Sequence, residues 1–315
     1  MSWLWAETII QIAGVLLLSP LVLGIMNRLK AIVESRHGPS VLQPYYDLAK
    51  YLRKEMLIPE NSTAIFYAAP FFVFGTYLLI SFVIPVILPF PVYFTPAVDF
   101  LGGGLLFALT SFLLILGALN SGNNVSAMGA SRSATFSAFA EPTLIMVFFA
   151  VALISGTNNP YTTSSLLSVS VVSYLGLYHL LSMVAFFMLL LFETGQLPLE
   201  SSGIMELGMI DEARIYEYSG PHLFLVKYSS MIKMYLLGSV FLNVFAVPWY
   251  MQSGLLGSFL DIPIMLLKWL ILIVAIVVIN ETVGKLRLFK IQDFLTVSFA
   301  LAIVSILTLT LGGIQ

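Results

Sequence analysis

Residues 172–220 read VSYLGLYHLLSMVAFFMLLLFETGQLPLESSGIMELGMIDEARIYEYSG. The first part, 172–192, is predominantly apolar and holds no carboxylate, Lys or Arg. The remainder holds Glu193, Glu200, Glu206, Asp211, Glu212 and Glu217, six of the chain's 16 acids, against one base, Arg214. A helix needs ~20 apolar residues to cross a hydrocarbon core, so 172–192 reads as a membrane span. The acids begin where that span ends. They do little to set membrane orientation, which follows Lys and Arg, so topology does not explain them. From 204 to 218 the acids alternate with Ile204, Met205, Leu207, Met209, Ile210 and Ile215 at helical rhythm. That pattern is too apolar for a free loop and predicts a structured acidic segment packed under a partner or around a polar cavity. Glu206 and Glu217 are eleven apart, about three turns, and share a face; Arg214 lies near Glu217.

Working outward, seven more apolar runs appear, near 5–26, 64–88, 101–119, 134–155, 231–251, 262–281 and 293–313. The chain is 59% apolar and 10% charged, with a mean hydropathy of +0.98. Soluble domains carry about 25% charge, so this chain cannot cover itself with polar surface. The expectation is an all-α integral membrane protein over 1–315, with about eight transmembrane helices in a single polytopic domain. The first run carries Glu7, lacks a basic flank and a small-residue cleavage site, and reads as a true span rather than a signal peptide.

Lys and Arg set the orientation. Loop 27–63 carries Arg28, Lys30, Arg36, Lys50, Arg53 and Lys54; loop 120–133 carries Arg132; loop 193–230 carries Arg214 and Lys227; loop 282–292 carries Lys285, Arg287 and Lys290. Lys233 opens the span that follows the acidic segment, and the opposite loops hold neither Lys nor Arg. Eight spans in a cytoplasmic membrane, with the basic loops cytoplasmic and both termini outside, satisfy this pattern. In loop 27–63, VLQPYYDLAKYLRK (41–54) places Tyr45, Leu48, Ala49 and Leu52 at helical spacing. This predicts an amphipathic helix at the inner face, serving either as a membrane-surface anchor or as a docking helix. The docking reading groups Arg36, Tyr45, Asp47, Lys50 and Arg53 with Arg214.

Several function classes are excluded from this chain. Net charge is −2, which gives nucleic acid no purchase. Without cysteine the chain holds no cysteine-ligated iron–sulfur cluster, c-type haem attachment or disulfide. His37, His179 and His222 lack metal-ligand spacing, and no phosphate-binding glycine loop is present. The remaining signal is ionisable groups inside or at the ends of spans, which are costly unless paired or hydrated. Glu141 lies ~13 Å along a helix from Arg132, and Pro142 beside it frees a carbonyl one turn earlier. It reads as a proton-holding carboxyl or as a structural one bonded to a neighbouring helix. Glu193 and Glu281 end spans where a hydrated cavity or plain solvent would meet them. His179 shares a helical face with Glu193 and reads as a proton relay or a satisfied core histidine. Lys268 pairs with Asp261, snorkels outward, or sits in a buried charge line.

Three motifs, HGPSVLQPYYDLAKYLRKE (37–55), GASRSATFSAFAEPTL (129–144) and FETGQLPLE with EYSG (192–220), resemble the subunit 1 family of respiratory complex I. They are closer still to the membrane anchor subunit of group 4 NiFe hydrogenases, including formate hydrogenlyase-type complexes. The resemblance implies a subunit, non-catalytic alone, that docks a peripheral electron-transfer arm and couples its redox chemistry to H⁺ or Na⁺ translocation. It implies NiFe hydrogenase-like and iron–sulfur partner chains, antiporter-like membrane partners, and no cofactor in this chain. By position, Arg132 and Glu141 match the family's Arg and Glu about the fourth span, and Glu193 matches the acid that ends the fifth. Glu200, Glu206, Glu212 and Glu217 fall in the acidic loop. Glu281, His179 and Lys268 complete the set expected to carry ion translocation. In complex I the corresponding chain forms most of the quinone chamber. Here the compact GPSVLQP, and Gln196 and Glu200 about Pro198, follow the hydrogenase branch and weaken quinone as a ligand. A stand-alone ion transporter and a purely structural anchor are the other readings.

Overall fold

The computed structural model describes residues 2–84, 86, 99–169, 174–197, 208–249, 255–284, 286 and 290–312. These residues form ten α-helices: α1 Ser2–Val33, α2 Gln43–Leu52, α3 Ala64–Val83, α4 Phe100–Leu119, α5 Asn124–Ser155, α6 Pro160–Val169, α7 Leu177–Glu193, α8 Gly220–Val240, α9 Leu255–Thr282 and α10 Lys290–Gly312. A π-helical turn, Gly208–Glu212, precedes α8, and a second π segment, Phe241–Ala246, continues it. Seven of the helical stretches are long and apolar enough to cross a membrane, and α7 is an eighth apolar helix of 17 residues. The protein is a multi-pass, all-α membrane protein.

The helices run further than hydropathy alone predicts. Helix α5 begins at Asn124, ten residues before the expected 134, because Asn123 Oδ1 accepts from the Val125 N–H at 2.7 Å and caps it. Arg132 is therefore on the helix and not in a loop. Helix α8 begins at Gly220 and not at 231, with Pro221 in its first turn. Helix α1 continues through Arg28 and Lys30. Hydropathy does not predict helix α6. Its polar sequence reads as a loop, yet Asn159 Oδ1 accepts from the Tyr161 N–H at 3.0 Å and Pro160 opens the helix.

Helix α8 is the axis of the bundle. In its span 78% of residues are buried, against 22–50% in the others. Surrounded by protein, it needs no lipid-compatible surface, so it also has the lowest mean hydropathy of the spans, 1.3. Helices α1, α2, α3, α7 and α9 pack around it, and α4, α5 and α10 complete the bundle. The Tyr235 and Trp269 rings stack at 5.3 Å, and Phe186 packs on Phe241 and Phe245.

Proline interrupts α1, α3, α5 and α9. A helical proline removes the N–H that would reach the carbonyl four residues back. At Pro20 that carbonyl belongs to Leu16, and the Tyr228 hydroxyl donates to it at 2.8 Å. Tyr45 donates to the adjacent Leu17 carbonyl. The break in α1 is thus satisfied from α8 and α2, as a membrane interior requires. The amphipathic helix at 41–54 is present as α2. Pro44 and Leu48 are buried, whereas Ala49 and Leu52 are exposed.

Candidate functional site

The end of the bundle that carries the basic loops is built around α5, α7 and α8. Glu193 is the last residue of α7, and its carboxylate accepts from the Lys233 ammonium. The two side chains are 12% and 13% exposed, so both charges are largely withdrawn from solvent. A charge this withdrawn is tolerated when paired and hydrogen-bonded, and removing one partner strands the other. Lys233 lies well inside α8, about 20 Å along the helix from its start at Gly220.

Beside the pair is a cavity of about 30 Å³, whose lining includes Ser111, Ser133 and Ser137, together with Asp211, Arg214, Glu193 and Lys233. One water needs roughly 10–15 Å³ of such space, so about two fit among these groups. Ser133 and Ser137 are four apart on α5 and share its face with Gly129 and with Glu141. At Gly129 a Cβ would come within 2.7 Å of Ala213 Cβ and 2.9 Å of Arg214 N. Glycine there lets the acidic segment lie directly on α5. The segment then sends Arg214 inward, where Nη1 donates to Ser133 Oγ at 3.0 Å and Nη2 pairs with Asp211 at 2.7 Å.

The remaining expected residues separate into groups. Glu141 is half-buried on α5, within electrostatic reach of both Glu193 and Lys233. Arg132 is half-buried about two and a half turns nearer the basic end. Glu212 pairs with Lys227 at a mostly exposed position, and Glu217 accepts from Asn123 Nδ2, tying the segment to the start of α5. Glu200 and Glu206 lie outside the described residues. Glu281 is exposed at the end of α9, in electrostatic reach of Lys30, which donates to Gln196. His179 and Lys268 are buried but stand near the opposite end of the bundle. His179 shares α7 with Glu193 but lies ~21 Å from it along the axis. It bonds the Phe245 carbonyl at 3.1 Å, and Lys268 bonds Asn243 and Val247.

Of the docking set, Arg36, Lys50 and Arg53 are exposed, with Arg36 paired to Glu34 at 3.5 Å. Asp47 accepts from Gln43 within α2 at 2.9 Å. Tyr45 and Arg214 instead point into the protein. Arg214 pairs with Asp211, three residues before it, while Glu217 accepts from Asn123. Tyr218 closes the segment: its ring stacks on Phe66 at 4.3 Å, and burial pushes its phenol up from the ordinary tyrosine value. The next residue but one, Gly220, takes φ +52°, and a Cβ there would meet the Glu55 carbonyl at 2.6 Å. That contact seats the loop after α2 against the start of α8.

Sequence reasoning does not single out Lys233, Asp211 or the three serines. Hydropathy sets Lys233 at a span's edge; with α8 starting at Gly220, an ionisable side chain well within the span is the signal that identifies it. Among the described residues no three His, Asp or Glu side chains converge as a metal site.

Fold and site together define a polytopic membrane protein with a largely buried ion pair and a small, water-sized cavity beside a central helix. The family model for NADH dehydrogenase matches residues 6–310, and the chain belongs to that family. It is 27% identical to hydrogenase-4 component C of Escherichia coli over 299 residues, covering 93% of this chain and 91% of that protein. It is 27% identical to formate hydrogenlyase subunit 4 of the same organism over 286 residues, covering 89% of this chain and 90% of that protein. In a solved structure of the membrane-bound sulfane sulfur reductase, an archaeal respiratory membrane complex, one chain superposes with a TM-score of 0.83. That match covers 97% of this chain and 99% of that one at 18% identity, a likeness of fold.

Proposed function

We propose that this chain is the membrane-anchor subunit of a complex I-related redox complex of the group 4 hydrogenase type. It docks a peripheral arm that carries the iron–sulfur clusters and, in this reading, a NiFe centre, and it couples turnover there to movement of H⁺ or Na⁺. The basic loops face the cytoplasm, and the acidic segment lies under the arm. The observation that supports coupling is the Glu193–Lys233 pair opening onto a cavity that the acidic segment itself walls.

The chemistry is electrostatic. A change of charge or proton occupancy in the arm acts first on the acidic segment, whose Arg214 and Asp211 line the cavity. Moving Arg214 away from Ser133 alters the field at Glu193. Protonating Glu193 releases Lys233, which then bears on Glu141, within its electrostatic reach on α5. Charge thereby shifts laterally along α5, α7 and α8 toward neighbouring membrane chains.

Purification of the tagged chain from its native membrane tests the assignment. The expected result is co-purification with a large subunit bearing the four active-site cysteines of a NiFe enzyme and with antiporter-like chains. Recovery of the chain alone, with ion flux in liposomes, would overturn it in favour of a transporter. Turnover that is blocked by quinone-site inhibitors would move it to the quinone-reactive branch.

A further inference from the structure

Helix α8 stops inside the bundle. It widens into π geometry over Phe241–Ala246, and Val247 then leaves it at φ −141° and ψ 73°. In a membrane interior the freed carbonyls have no water to turn to. Side chains meet them one by one. Ser164 Oγ donates to the Asn243 carbonyl at 2.9 Å, and the Tyr174 hydroxyl to Ala246 at 2.6 Å. His179 Nε2 lies 3.1 Å from the Phe245 carbonyl, which only accepts, so the proton sits on Nε2. Lys268 Nζ donates to the Val247 carbonyl at 2.8 Å and to Asn243 Oδ1 at 3.1 Å. The Asn243 amide is oriented for this, because its Nδ2 donates to the Val86 carbonyl at 3.1 Å.

Three of these four donors carry an ordinary hydroxyl or ring N–H. The fourth is an ammonium, 4% exposed, where a neutral donor would satisfy Val247 equally well. Hydrogen bonding alone therefore does not account for the charge. Its surroundings do. The C-terminal end of a helix is the negative end of its dipole. Asp261, seven residues earlier on the same face of α9, is buried and within electrostatic reach. Carbonyl oxygens at a broken helix end are the ligands that hold monovalent cations in membrane transporters. We propose that Lys268 is a tethered cation, its ammonium occupying the place at the broken end of α8 where a free monovalent cation would otherwise bind.

Hydrogen exchange of amides 241–249 in the intact membrane complex tests this, in NaCl against choline chloride at equal ionic strength. Wild type exchanges at the same rate in both. Lys268→Ala exchanges faster than wild type in choline, and Na⁺ at about ten times its dissociation constant slows it about tenfold. Equal rates for Lys268→Ala in choline, Na⁺ and K⁺ would overturn the proposal. If Lys268→Ala does not assemble, Lys268→Arg and Lys268→Met decide: protection kept by Arg and lost by Met supports a required charge. Protection kept by Met, which fills the space without charge, contradicts it. The readout involves no turnover, so its failure is distinct from failure of the coupling role of Glu193.

Discussion

Two buried lysines, Lys233 and Lys268, show how one chain treats the same group in two ways. Lys233 is bonded to a carboxylate, Glu193, beside a cavity that admits water. Lys268 is bonded to an amide oxygen and a backbone carbonyl at a buried helix break. A carboxylate can take a proton and let its partner go; a carbonyl cannot. The first lysine is therefore placed to respond to a proton, and the second to hold a helix end in place. They lie at opposite ends of the bundle: Lys233 and Asn243, the partner of Lys268, are ten residues apart on α8 and its π continuation, ~15 Å along the axis.

The largest effect is expected from Lys233→Met, which strands Glu193 as an unpaired charge. Breaking such a pair costs about 3–5 kcal/mol. The expected outcome is little assembled complex on native gels, with much of the loss restored in Lys233→Met/Glu193→Gln. If the single variant assembles normally, the two lysines do not differ as described. Gly129→Ala comes next. Its new Cβ meets Ala213 and Arg214, and overpacking of this kind costs about 1–3 kcal/mol. Thermal unfolding of the complex should fall, and proteolysis within 208–218 should quicken; unchanged proteolysis would mean that the acidic segment is not seated on α5. The smallest change belongs to Glu212→Gln. Glu212 is itself 63% exposed in its pair with the partly buried Lys227, and pairs open to solvent contribute about 0–1 kcal/mol. Thermal unfolding should barely move, and a large drop would show that the outer acids are as integral as Glu193.

Much of this is legible in the sequence. The apolar runs set the membrane fold, and an acid directly after the run 172–192 marks the end of α7. The structured character of 204–218 follows from its apolar rhythm, and the described part, 208–218, does pack on α5. Lys233 is hidden by its own helix. Residues 220–230 include His222, Lys227, Ser229 and Ser230, which lower hydropathy and shift the apparent span start to 231. Because α8 is enclosed by protein, those residues do not have to face lipid. Helix α6 is hidden because its start depends on a cap and a proline, local chemistry that hydropathy does not register. Helical phase links His179 to Glu193, and the fourteen residues between them already set ~21 Å along the axis; what the sequence does not show is that His179 bonds the Phe245 carbonyl. The contact of Tyr45 with the Pro20 break, which buries Pro44 and Leu48 against the bundle, is tertiary and not legible in the sequence.

The coupling role rests on Glu193, and one substitution separates it from a purely structural one. Glu193→Gln keeps the side chain's shape and an acceptor for Lys233 but cannot exchange a proton near neutral pH. The ion-translocation stoichiometry per turnover is measured in proteoliposomes holding the assembled complex, beside its redox turnover and its yield. The account predicts a lower yield, because Lys233 keeps an acceptor but loses its countercharge, and, in the complex that does assemble, ion movement per turnover lost or cut severalfold. Unchanged ion movement per turnover in fully assembled complex would contradict it.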